Sequence, residues 1–187
     1  KGKSVMQVEG QLLQGGEVKT QIIACFGVQR FANLQITPAT KVFPEKSMQV
    51  PFIAELMPEF VQHLDMKYTS EHMPFSGSSE ARVSGWVRFV SAPSVFTDAA
   101  LVALIDAWPP AVLPMLERVA PSSSITWNIE FLNPRTELNT SDYIYYECEA
   151  IQAAAGYAHT EGKIYNQDGQ LIALSRQMVG VYEKKVN

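Results

Sequence analysis

The residue that points most clearly to chemistry is an aspartate near the end of an apolar helical segment. Over residues 99–108, apolar residues recur at helical spacing on every side, which predicts a buried helix. Asp106 would then lie among small apolar side chains with no cation nearby, where a bare carboxylate is costly to maintain. Two roles stay open for Asp106: a cap for the turn at Pro109 and Pro110, or a catalytic or binding group.

Two predicted strands add hydroxyl and amide groups. Alternation over residues 124–131 places Ser124 and Thr126 on one polar face, which is either solvated or functional. In the last predicted strand Gln177 stands in an otherwise apolar row. A buried amide must be hydrogen-bonded through both its donor and its acceptor, so Gln177 either holds a neighbouring strand or holds a water and a substrate.

Other catalytic and metal-binding patterns are missing from the sequence. It contains no nucleophile elbow, phosphate-binding loop, dinucleotide fingerprint or zinc-protease motif. Cys25 and Cys148 lie far apart, and neither they nor the three histidines have metal-ligand spacing. Cys148 alternates with apolar residues and is predicted to be a buried structural thiol. We therefore expect no metal, no cofactor and no disulfide framework.

Composition narrows the class of protein. The chain has 187 residues, 47% hydrophobic and 18% charged, which is typical of a globular protein. Its formal net charge of −4 argues against binding to nucleic acid or to a membrane surface. The most apolar stretch, residues 99–116, contains an aspartate and three prolines and is predicted to be core rather than a membrane span. The cysteine usage makes a reducing cytoplasm the expected location.

The order of predicted elements indicates an α+β fold. A hairpin around Gly15 and Gly16 opens the chain, and a proline-rich segment follows over residues 35–58. Thr97 is a candidate N-cap for the helix, and three strands, the last two joined by a turn at Asp168-Gly169, close the chain. One helix against an antiparallel sheet is an α+β arrangement. The opening strands also resemble the closing ones, which suggests two copies of one small fold, divided into residues 1–57 and 58–187.

Three segments together carry a resemblance to a known family. They are residues 96–108 (FTDAALVALIDAW), 124–134 (SITWNIEFLNP) and 165–177 (YNQDGQLIALSRQ). With these in view, residues 4–183 resemble the acyl-CoA thioesterase II family, the double-hotdog thioesterases. The resemblance implies two fused hotdog folds, each a long helix wrapped by an antiparallel sheet. Here the first, residues 1–57, would be incomplete, and the second, residues 58–187, complete.

The resemblance also implies an activity and its residues. Members hydrolyse acyl-CoA thioesters with an Asp, a Ser or Thr, and a Gln that hold the attacking water, without metal or covalent intermediate. These positions correspond to Asp106, Ser124 and Gln177. Thr126 is an alternative for the hydroxyl, because it stands where the family often has an acidic residue.

Two other functions are compatible with the same fold. A non-catalytic acyl-CoA-binding or assembly module with the same fold is the alternative function. A hotdog dehydratase is less favoured because the helix carries no histidine.

An incomplete first hotdog would leave apolar surface and strand edges, so we expect a homo-oligomer, most simply a homodimer. We further expect that residues preceding Lys1 in the gene product complete the first hotdog.

Overall fold

The computed structural model describes residues 4–184. Contacts divide the chain into two units between Thr37 and Pro38. The smaller unit contains strands β1 (Val5–Gln14) and β2 (Glu17–Gly27). The larger unit contains the only α-helix of the described chain, α1 (Asp98–Asp106), and one antiparallel sheet.

The β1–β2 hairpin forms where the sequence predicts it. Gly15 and Gly16 occupy the two turn positions with φ of +61° and +82°, which side chains with a Cβ rarely adopt. Cross-strand pairing of Met6 with Phe26 and of Val8 with Ala24 puts these residues on one face of the hairpin. Almost every residue of both strands is exposed. The hairpin therefore presents an exposed apolar face.

Within residues 38–184, seven strands form the sheet of the larger unit, in the order β3-β4-β5-β7-β8-β9-β6. Their bounds are β3 Met48–Gln49, β4 Leu64–Tyr68, β5 Arg82–Phe89, β6 Ser122–Phe131, β7 Ile144–Ala154, β8 Tyr157–Tyr165 and β9 Leu171–Val181. Every pairing is antiparallel. Two 3₁₀ turns, Glu59–His63 and Leu113–Met115, precede β4 and follow α1. Among the strands of the described chain, β6 therefore lies at one edge of the sheet and is paired only with β9.

Helix α1 begins at the predicted cap. The Thr97 hydroxyl accepts a hydrogen bond from the Ala100 N–H at 3.2 Å, which confirms the N-cap. The helix buries Leu101, Leu104 and Ile105 against the sheet. Its opposite side, formed by Ala99, Ala103 and Asp106, is exposed. The expectation of a helix buried all round is thus wrong within this unit, because the sheet covers one side of the helix only.

A close approach between strand and helix end fixes the position of Trp108. Gly85 of β5 leaves room for this indole, since a Cβ at Gly85 would lie 2.7 Å from Cη2 of Trp108 and 2.1 Å from the Lys67 carbonyl oxygen. Trp108 stacks on Tyr146 of β7 with ring centroids 5.4 Å apart. Trp108, two residues after Asp106, thereby holds the chain that follows α1 against the middle of the sheet.

Part of the predicted connecting segment packs on the larger unit. Phe43 inserts among aromatic rings of the sheet, 4.4 Å from Trp86 and 4.7 Å from Tyr145 between centroids. Lys41 pairs with Glu147 of β7 at 2.5 Å. Contacts thus group residues from Pro38 onward with the seven-stranded sheet, whereas the sequence-based division falls after residue 57.

Candidate active site

A bulge in edge strand β6 decides which side chains face the helix. Ser124 lies opposite Val179 and Thr126 opposite Met178, so Ile125 is an extra residue without a partner. Directly opposite residues of an antiparallel pair share a face of the sheet. The core-facing Val179 therefore has Ser124 on its side, and Thr126 projects from the other face.

Ser124 and Gln177 meet on the core-facing side of the sheet. The Gln177 side-chain amide donates a hydrogen bond to Ser124 Oγ at 2.5 Å. Gln177 is half-buried between the buried Ser175 and Val179 of the same row, as the alternation predicts, and Ser124 is exposed. The pair is thus anchored in the sheet and open to solvent on the hydroxyl side.

A second hydrogen bond lies beside this pair. Trp127 stands directly opposite Gln177, and its indole Nε1 donates to Ser175 Oγ at 2.9 Å. Trp127 also packs against the core beneath α1. Four side chains of two strands therefore form two neighbouring hydrogen-bonded pairs on one face.

Thr126 is not part of this arrangement. It borders an open depression of about 410 Å³ over β6, β7, β8 and β9. Most of the lining residues alternate with the core-facing ones, among them Asn128, His159 and Arg176, although Trp127 and Gln177 also contribute to the lining. The depression therefore opens mainly on the face away from α1. The sequence expectation that Ser124 and Thr126 share a face is wrong, because the bulge intervenes.

Asp106 is the last residue of α1, on the same side of the sheet as Gln177 and Ser124. None of the hydrogen bonds and ion pairs found within residues 4–184 involves its carboxylate, so the structure gives it no capping role and no bond to Ser124 or Gln177. Although the residue is exposed, apolar surroundings partly desolvate the carboxylate and raise the pKa of Asp106 above its usual value. A carboxylate in this state is a better base than an ordinary surface aspartate.

Buried groups of β7 and β8 lie beneath this region. Burial raises the pKa of Tyr146 well above its usual value, followed by smaller contributions from Cys148, Asp106 and Tyr68. Cys148 is buried, as predicted, and burial raises the pKa of its thiol, which disfavours the reactive thiolate form. The Thr160 hydroxyl donates to the Gln177 carbonyl oxygen at 3.4 Å and ties the backbone of β9 to β8.

Among residues 4–184 no cluster of three or more His, Cys, Asp or Glu side chains could hold a metal ion. Within the same range no helix is both long enough and apolar enough to span a bilayer.

Sequence reasoning missed two features of this site. The bulge at Ile125 has no signal in a strand that alternates regularly by composition. The Trp127–Ser175 bond was missed because cross-strand register is needed to bring the two residues together. A polar serine in the apolar row of Gln177 was the one available hint.

Comparisons with known proteins agree with this architecture. A family model described as the acyl-CoA thioesterase C-terminal domain matches residues 43–181. No curated protein sequence matches the chain significantly.

Solved structures share the fold at low sequence identity. A conserved protein of unknown function with a hot dog fold from Alicyclobacillus acidocaldarius has a TM-score of 0.80 and 23% identity, covering 99% of this chain and 70% of its own. A putative thioesterase II from Thermobifida fusca has a TM-score of 0.76 and 15% identity, with 98% and 69% covered. An acyl-CoA thioesterase II from Mycobacterium marinum has a TM-score of 0.68 and 16% identity, with 98% and 71% covered. This chain therefore has the hotdog fold.

Proposed function

Because the chain belongs to the acyl-CoA thioesterase II family and is a thioester hydrolase, we propose that it hydrolyses acyl-CoA with a water held by Ser124 and Gln177 and activated by Asp106. The family membership confirms the resemblance predicted from three sequence segments. The observation that carries the residue assignment is the Gln177–Ser124 hydrogen bond, which joins an amide and a hydroxyl on the side of the sheet where α1 ends.

The proposed reaction needs little beyond these groups. Asp106 accepts a proton from the water while the water oxygen attacks the thioester carbonyl carbon. The carbonyl π electrons move onto oxygen, and backbone or side-chain N–H donors stabilise the resulting oxyanion. When the tetrahedral intermediate collapses, the C–S bond breaks and the CoA sulfur takes the proton back from Asp106. The products are a free acid and CoA.

Ser124 is the hydroxyl we assign, in preference to Thr126. It accepts from Gln177, whereas Thr126 faces the opposite side of the sheet. The Ser124 hydroxyl hydrogen is free to bond the attacking water while its oxygen accepts from the amide. A water bonded to the Ser124 hydroxyl hydrogen and to the side-chain carbonyl oxygen of Gln177 would keep one lone pair for attack on the thioester.

The activity is tested with purified protein and acyl-CoAs of several chain lengths, by measuring the CoA thiol released. In heavy-oxygen water the first turnover should place the label in the product acid, because water attacks the carbonyl directly. Label found in Asp106 and absent from the acid would indicate a covalent intermediate and contradict the mechanism. Acyl-CoA binding without thiol release would favour the non-catalytic binding module.

We propose in addition that the β1–β2 hairpin belongs to an incomplete first hotdog and that the larger unit is the second, complete one. The apolar face of the β1–β2 hairpin supports this, since a two-stranded ribbon is marginally stable without something packed on it. Exposed apolar surface of this kind also supports a homodimer. Sedimentation at micromolar concentration that finds only a 20.8 kDa species would contradict the dimer. The free thiols of Cys25 and Cys148 support a cytoplasmic location.

A further inference from the structure

Trp127 and Gln177 face each other across the β6–β9 ladder, on the same side of the sheet. Directly opposite Cβ atoms in such a pair are about 4.5–5.5 Å apart. Side chains at that spacing contact each other, so the direction that one takes limits the other.

The two side chains lean in opposite directions. Trp127 reaches Ser175, which precedes Gln177 on β9, with an N–O distance of 2.9 Å. Gln177 reaches Ser124, on the other side of the rung, at 2.5 Å. The bulge at Ile125 contributes to this pattern by turning Ser124 onto the face that Gln177 occupies.

We propose that Trp127 and Ser175 are a positioning pair, which holds the indole to one side of the rung and so directs the Gln177 amide toward Ser124. The inference rests on the proposed function, in which that amide orients the attacking water. Trp127 and Ser175 touch neither water nor substrate in this role, so they are positioning residues and not catalytic ones.

Burial restrains the conformation of this pair, so that it can direct the Gln177 side chain. Ser175 is 5% exposed, so little water competes for its hydroxyl. A Cβ at Gly162 of β8 would lie 3.4 Å from the Ser175 Cβ, and the serine is therefore backed by the neighbouring strand. Gln177 is only half-buried and owes its direction to its neighbours.

The test uses single and double variants with acyl-CoA hydrolysis as the readout. Trp127→Phe keeps an aromatic ring but loses the N–H donor, and Ser175→Ala loses the acceptor. Each is expected to lower kcat about tenfold with KM within about twofold, because small misplacement of a reacting group is expensive. The double variant should be no slower than either single variant, since both remove one hydrogen bond.

Ser123→Ala is the matched control. It removes a hydroxyl of the same strand that bonds Tyr182 at 3.1 Å, away from the rung. We expect kcat to stay within about twofold of the wild type. Unchanged melting temperatures, or temperatures lowered equally in control and test variants, would show that a fall in kcat is not a folding effect.

Failure of the inference and failure of the proposed function give different results. If the wild type is active and Gln177→Ala is not, full kcat in Trp127→Phe overturns the positioning pair and leaves the function intact. If the wild type does not hydrolyse acyl-CoA, the side-chain amide NMR signals of Gln177 decide, assigned by their loss in Gln177→Ala. If the pair positions Gln177, those amide signals should shift and exchange faster with solvent in Trp127→Phe. Unchanged signals would overturn the positioning role.

Discussion

Replacing Asp106 by Asn should separate catalysis from stability. The carboxylate lies at the C-terminal end of α1, where the helix dipole disfavours negative charge by about 0.3–1 kcal/mol. Its carboxylate has no ion pair within residues 4–184. The raised pKa of Asp106 also means that folding disfavours the charged form, so both effects destabilise the folded protein when the group is ionised. Asn removes this cost above the folded pKa, so we expect the melting temperature at neutral pH to rise by about 1–4 °C.

The turnover number kcat of Asp106→Asn should fall although its melting temperature rises. If Asp106 is the general base, Asp106→Asn should lower kcat about 100-fold or more, as expected for loss of a positioned base. That fall corresponds to about 2.7 kcal/mol of transition-state stabilisation. Thiol release from acyl-CoA measures kcat, and calorimetry measures the melting temperature. Acyl-CoA binding should persist, because the variant loses only a proton acceptor.

Asp98→Asn is the matched control at the other end of α1. Asp98 lies in the first turn, where the dipole favours its charge, and it pairs with Arg135. Its loss should lower the melting temperature by about 1–4 °C and leave kcat within about twofold. If kcat survives in Asp106→Asn, or falls equally in both variants, the assignment of Asp106 as base is refuted even though the protein is a thioester hydrolase.

Ser124→Ala should lower kcat at least about tenfold and Thr126→Ala should leave it within about twofold, because only Ser124 bonds Gln177; equal effects in parallel assays would contradict the bulge-based assignment. In the pH profile of kcat, the decrease on the acid side should occur at a pH above the usual aspartate pKa, because the base must be ionised and the pKa of Asp106 is raised. Below that pH, kcat should fall tenfold per pH unit. A profile that is flat through that region would contradict the assignment of Asp106 as base. Gly85→Ala should destabilise the protein by about 1–3 kcal/mol through overpacking, and an unchanged denaturant midpoint would contradict the close approach seen there.

Features set by local sequence were predicted correctly. The Thr97 cap, the Gly15-Gly16 turn and the closing hairpin all formed, because the side chain or backbone freedom that specifies each lies within a few residues of it. The row of core-facing residues around Gln177 was likewise predictable, since alternation along one strand is a local property.

Features that depend on a partner strand or on packing were not predictable. The bulge at Ile125 is defined only by which residue of β9 lies opposite, which spacing within β6 does not contain. The apolar pattern of α1 indicated burial on all sides, but it could not say which side this unit would leave open.

The bulge has a consequence for how this site could change through evolution. With one extra residue in β6, the hydroxyl that meets Gln177 is chosen by backbone register and not by side-chain type. A point mutation at position 124 can remove the hydroxyl, but no point mutation can bring Thr126 into its place. Loss of Ile125 by a single-codon deletion would remove the unpaired residue and leave Ser124 opposite Val179, on the face of Gln177. A deletion at the bulge should therefore be tolerated better than a deletion between Thr126 and Phe131, which would change the residues that lie opposite β9.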